Sequence, residues 1–128
     1  MNSILIGLLF MIFINPFSDW KWKNRILIIN EDVSLFNEFK KMETEVKDRD
    51  MIILLIQKSN LYSFPQKIDI NIDKVKDHFS LNNTQKSILI GKDGGTKLSK
   101  STLSVKEIFN LIDSMPMRRQ EVRKKSGK

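Results

Sequence analysis

Cysteine is absent from all 128 residues, so the chain offers no thiolate nucleophile, no disulfide and no sulfur ligand for a metal. Thiol reduction and peroxidase chemistry are thereby excluded as activities of this chain. The fold must also stand on packing alone, without the covalent staples that many small exported domains use. Histidine is scarce too. His78 is the single one, and its neighbours Lys76, Asp77 and Phe79 suit a half-exposed helix position better than a catalytic one. Paired carboxylates (Glu31-Asp32, Glu43/Glu45, Asp48/Asp50) fall at expected helix ends or on polar faces, where the helix dipole and solvation account for them. This inventory leads to no expected metal and no expected cofactor.

Long apolar runs are missing with one exception. Ile4 to Ile14 is nearly unbroken, and Met1 to Ser18 carries no charged side chain. A bilayer span needs roughly 20 residues, so the run has the length of a signal-peptide core, although no Lys or Arg precedes it and Asn15-Pro16-Phe17-Ser18 is a poor cleavage site. The expectation is an exported protein, periplasmic or secreted. Residues 1–18 would be a signal peptide or an uncleaved anchor, residues 19–117 the folded domain and residues 118–128 a basic tail.

Net charge is +7, and it is unevenly placed. Arg118, Arg119, Arg123, Lys124, Lys125 and Lys128 face only Glu121 near the C-terminus, while the body is close to balance. The tail lacks interleaved aromatics for base stacking, and an exported protein seldom meets nucleic acid. An anionic envelope surface or an acidic protein is the expected partner, with a merely solvated tail as the bland alternative. Arg118 and Arg119 lie next to the fold, where Asp93 or Asp113 could pair with them and pin the last helix.

What is present reads as an α/β domain. Arg25 to Asn30 and Met51 to Ile56 are continuous apolar runs of the kind found in strands buried on both faces. Between them Leu35, Phe39, Met42 and Val46 form one helical stripe, opened by an N-cap at Asp32, so that strand, helix and strand make a parallel βαβ unit. Gln57 to Ile72 reads as a polar connection, and Asp73 to Phe79 as a short helix. Ser87 to Ile90 is a third strand, turned by Lys92-Asp93-Gly94-Gly95 into a short return strand at Thr96 to Ser99. Ser104 and Glu107 form a capping box for a helix carrying Val105, Ile108, Phe109 and Ile112, which Pro116 breaks or kinks. The order β-α-β-α-β-β-α matches a thioredoxin-like plan, a three-layer α/β/α domain with a mixed sheet. The glycine turn is not a P-loop: Thr96 stands where the second glycine is required, and the segment joins two strands.

Three stretches carry a resemblance: Trp22-Lys23-Asn24-Arg25, Leu89-Ile90-Gly91-Lys92-Asp93-Gly94-Gly95 with Lys97, and Ile112 to Glu121 with its Met-Pro-Met-Arg-Arg-Gln-Glu. They resemble the bacterial domain of unknown function also called P-DUDES, which recurs in animal extracellular-matrix proteins such as equarin. The resemblance implies a peroxiredoxin-like, thioredoxin-like fold in exported proteins, without an established enzymatic activity. Related redox enzymes place a reactive cysteine where this chain has Asn30-Glu31-Asp32-Val33, and a proline where it has Thr84-Gln85-Lys86-Ser87. The candidate binding residues are Lys92, Asp93, Lys97, Arg118, Arg119, Arg123, Lys124 and Lys125, in a binding or structural module. The alternative is an enzyme with non-thiol chemistry around the glycine hairpin, Arg118 and Arg119.

Overall fold

The structure, a computed structural model, describes residues 15–82, 84 and 86–127; the apolar run ending at Ile14 lies outside the described residues. Five strands form one mixed sheet in the order β3-β2-β1-β4-β5. They are β1 (Arg25–Asn30), β2 (Met51–Gln57), β3 (Asn60–Phe64), β4 (Ser87–Ile90) and β5 (Thr96–Lys100). β1 runs parallel to β2 and antiparallel to β4, and β3 and β5 close the two edges as antiparallel hairpin partners of β2 and β4. The helices are α1 (Val33–Lys40), α2 (Glu43–Asp48), α3 (Ile72–Phe79), α4 (Val105–Asp113) and α5 (Pro116–Lys125). Among the described residues no helix is long and apolar enough to cross a membrane.

The continuous apolar runs form the centre of the sheet because both of its faces are covered. Leu27, Ile29, Ile53, Leu55 and Leu89 meet α1, α2 and α4 through Phe36, Phe39, Val46, Ile108 and Ile112. Ile26, Ile28, Ile52, Leu54, Ile88 and Ile90 meet Val75 of α3, Leu81 and Phe17. Side chains alternate between faces along a strand, so Leu27 and Ile29 of β1 feed one core and Ile26 and Ile28 the other.

The expected single helix between β1 and β2 is two. The chain breaks at Lys41-Met42, yet Leu35, Phe39 and Val46 still share one core with Met42 packed beside them. Asp32 caps α1, its Oδ1 accepting the Leu35 N–H at 3.0 Å. Half of the Ser104 capping box forms. The Glu107 N–H donates to Ser104 Oγ at 3.1 Å, but the Glu107 carboxylate turns to Lys100 at 2.8 Å. The expected break at Pro116 is present: α4 ends at Asp113, Met115 is extended as a residue before proline tends to be, and Pro116 opens α5 at its first position, where a missing N–H is harmless.

Two further features depart from the expected plan. β3 occupies the stretch read as a polar connection, reached by a turn at Lys58 with φ of +56°. Asn-Gly or Asp-Gly normally signals such a hairpin, and neither is present. The fold also begins before residue 19. Phe17 is 3% exposed, its ring 6.2 Å from Trp20 and 6.0 Å from Phe79, and Asn15 Nδ2 donates to the Gly94 carbonyl at 3.2 Å. A boundary after Ser18 would remove a core side chain.

Candidate functional site

The two ends of the central strands are built differently. At the C-terminal end of β1, where related redox enzymes carry a cysteine, the Asn30 amide donates to the carbonyls of Leu81 and Thr84. Glu31 accepts the Lys58 N–H at 2.7 Å, and Asp32 caps α1. These polar groups hold connecting segments in place.

The opposite end gathers the three stretches that carry the family resemblance. Arg25 opens β1, Asp48, Arg49 and Asp50 lead into β2, Lys92 follows β4, and α4 returns to deliver Asp113 and α5. Arg25 is 1% exposed and makes a two-pronged contact with Glu121, both N···O distances being 3.1 Å. Its Nη1 also donates to the Arg49 carbonyl at 2.9 Å. Lys92 Nζ reaches Glu121 at 2.9 Å and Asp50 at 2.8 Å. Arg118, 4% exposed, pairs with Asp48, and with Asp113 at 3.3 Å, and donates to the Asp48 carbonyl at 2.8 Å. Arg49 grips Asp113 at 2.8 Å, and Lys125 reaches Asp48 at 3.0 Å.

This network explains why α5 docks at all. Arg118 is its only buried residue, so the helix has no apolar stripe to bury, and charged hydrogen bonds attach it to the sheet. α5 therefore runs across the expected start of the tail at residue 118. Of the two proposed partners for Arg118, Asp113 is used; Asp93 instead accepts Lys97 at 2.7 Å and the Gly95 N–H at 2.9 Å, stabilising the hairpin turn. Gly94 holds the positive φ, +85°, that the turn requires.

Asp48, Asp93, Asp113 and Glu121 are each favoured in the ionised form. Hydrogen bonds from Arg118 and then Lys125 hold Asp48 below its ordinary value, and Lys97 does the same for Asp93. Burial works against ionisation of Glu121, but Arg25 and Lys92 outweigh it; Arg49 and Arg118 likewise overcome burial at Asp113. Burial would lower the Arg118 pKa, yet Asp48 and Asp113 raise it. A general acid working near neutrality needs a carboxyl pushed up toward that range, and these four are pushed the other way.

Asp48, Asp113 and Glu121 ionise more readily in the folded chain, so their contribution is present above the ordinary carboxylate pKa of about 4 and is lost as pH falls through the lower folded values. The urea midpoint should stay level from about pH 8 to about pH 5 and fall below about pH 4. A midpoint unchanged down to pH 2 would show that the network contributes nothing.

Of the eight candidate binding residues, the structure thus brings Lys92, Arg118 and Lys125 into the network and pairs Asp93 with Lys97. Arg119, Arg123 and Lys124 are exposed and make no ion pair among the described residues. Arg119, Val122 and Arg123 line a surface pocket of about 380 Å³ with Arg118 and Asp113. Asp113 also borders a groove of about 570 Å³ between α1 and α4, rimmed by Lys41 and Lys106. Its wall includes Phe109, with the Arg49 guanidinium 4.2 Å from the ring centroid. His78 is exposed, edge-on to Phe79. Arg25, Asp48, Arg49, Asp50 and Glu121 were not singled out from sequence as site residues. The available signals were an arginine opening an otherwise apolar strand and a lone acid within a basic segment.

The family model described as Domain of unknown function (DUF4174) matches residues 16–121, and the chain belongs to that family. No curated protein and no solved structure matches the chain. The matched span includes Phe17 and runs as far as Glu121, the central acceptor of the network.

Proposed function

We propose that this family member is an exported, non-redox, thioredoxin-like module of the cell envelope that binds an anionic partner through the exposed basic face of α5. The parallel βαβ half joined through β1 and β4 to an antiparallel hairpin half supports the thioredoxin-like reading. The length of the apolar N-terminal run supports export. The observation that carries the binding role is a division of labour among the basic residues. Lys92, Arg118 and Lys125 are engaged by carboxylates, whereas Arg119, Arg123 and Lys124 are exposed without ion pairs among the described residues, two of them lining a pocket. The enzyme alternative draws no support from this geometry, because the signature charges neutralise one another and the affected carboxylates are held ionised.

Removing the chain after Gln120 would delete the counter-ion of Arg25, so substitution is the better test. Arg119→Glu, Arg123→Glu and Lys124→Glu together should elute from immobilised poly-L-glutamate at markedly lower salt than the wild type. A control reversing Lys67, Lys74 and Lys86 changes net charge equally on other exposed positions and should elute near the wild type. Equal losses in both triples would reduce the effect to net charge and remove the site.

A further inference from the structure

Trp22 is 61% exposed, the most exposed large apolar side chain among the described residues, and it sits at φ of +68°. A bulky side chain in the left-handed region is an outlier that persists only when its surroundings enforce it. Here the Trp22 N–H donates to the Lys92 carbonyl at 2.6 Å, while the Lys23 and Asn24 N–H groups both donate to the Trp20 carbonyl at 3.0 Å. The turn is locked, yet the indole gains little burial from it. Its flanking side chains, Lys21 and Lys23, are exposed as well, with Lys21 Nζ 5.4 Å from the indole centroid.

Position supplies the second observation. Asn15 is tied to the Gly94 carbonyl in the turn that follows Lys92, whose own carbonyl accepts the Trp22 N–H, so the first described residue and the Trp22 turn are held by the same hairpin. An exposed amphipathic indole between two exposed lysines fits the boundary of a bilayer, where tryptophan sits at headgroup level and lysines meet lipid phosphates. We propose that the Trp22 turn docks on an anionic phospholipid surface, with the indole at the headgroup boundary and Lys21 and Lys23 on the phosphates. This is a second surface, apart from the α5 face, and it rests on the binding reading only for its preference for negative charge.

The test uses the full chain with vesicles of phosphatidylglycerol or phosphatidylcholine carrying bromine on the upper acyl chain. Tryptophan emission is compared with that of Trp22→Gly, whose backbone suits the positive φ and which leaves Trp20 as an internal control. The wild type should show a blue shift and bromine quenching on phosphatidylglycerol, both lost in Trp22→Gly. Lys21→Glu with Lys23→Glu should weaken the interaction about tenfold or more. An indole that stays open to aqueous acrylamide on bound vesicles, quenching equal on both lipids, or no vesicle binding would each overturn the inference. Retention on poly-L-glutamate is measured in parallel. Retention that still depends on Arg119, Arg123 and Lys124 while Trp22 stays in water leaves the binding reading standing and removes the lipid one.

Discussion

Glu121→Ala is expected to lower stability by about 3 kcal/mol, the low end of the range for breaking a buried ion pair. The Arg25 guanidinium, 1% exposed, would lose its two-pronged acceptor and keep only the Arg49 carbonyl at 2.9 Å. Lys92 would still reach Asp50 at 2.8 Å, which limits the loss. For a domain of this size the melting temperature should fall by roughly 10 °C or more. Asp93→Ala is the comparison, because the Asp93–Lys97 pair is solvent-exposed and such pairs contribute about 1 kcal/mol or less. Urea unfolding distinguishes the two, provided the slope stays constant so that midpoints report stability. An Arg25→Met, Glu121→Leu double variant should recover much of the loss, since well-packed apolar replacements of buried ion pairs are often neutral. A shift below about 1 kcal/mol for Glu121→Ala would mean that water already screens the network.

Phe17→Ala should cost about 3–5 kcal/mol, as deletion of a buried phenylalanine does. Phe17 is 3% exposed and fills the core between the sheet, Trp20 and Phe79. A chain beginning at Asp19 should therefore unfold at a much lower urea concentration than one beginning at Asn15, and Phe17→Leu should fall between. Two equally stable chains would place Phe17 outside the cooperative core.

Legibility followed the range of the interaction. The stripes at Leu35, Phe39 and Val46 and at Ile108, Phe109 and Ile112 were readable because a helix brings residues three and four apart onto one face. Asp32, Ser104 and Gly94 were readable because capping and turn geometry involve residues only a few positions apart. β3 was not, because its turn places Lys58 at positive φ without glycine or asparagine to mark it. The break at Lys41-Met42 was not either, since the apolar spacing continues through it. α5 was only partly readable, because it is polar nearly all round and its docking depends on distant charges.

By itself, the sequence determined the absence of thiol chemistry, the strongly apolar β1, β2 and β4, and the local caps and stripes around them. These depend on atoms that are missing or on neighbours close along the chain. Tertiary structure decided which charges are held in the fold and which are left at the surface. Arg25 and Glu121 are 96 residues apart in sequence, and only sheet order and the return of α4 bring them together. Coulomb attraction falls with distance and is screened by water, so a charged residue acquires its role when the fold supplies its neighbours. The same principle separates Arg118, paired and buried, from Arg119, exposed beside it.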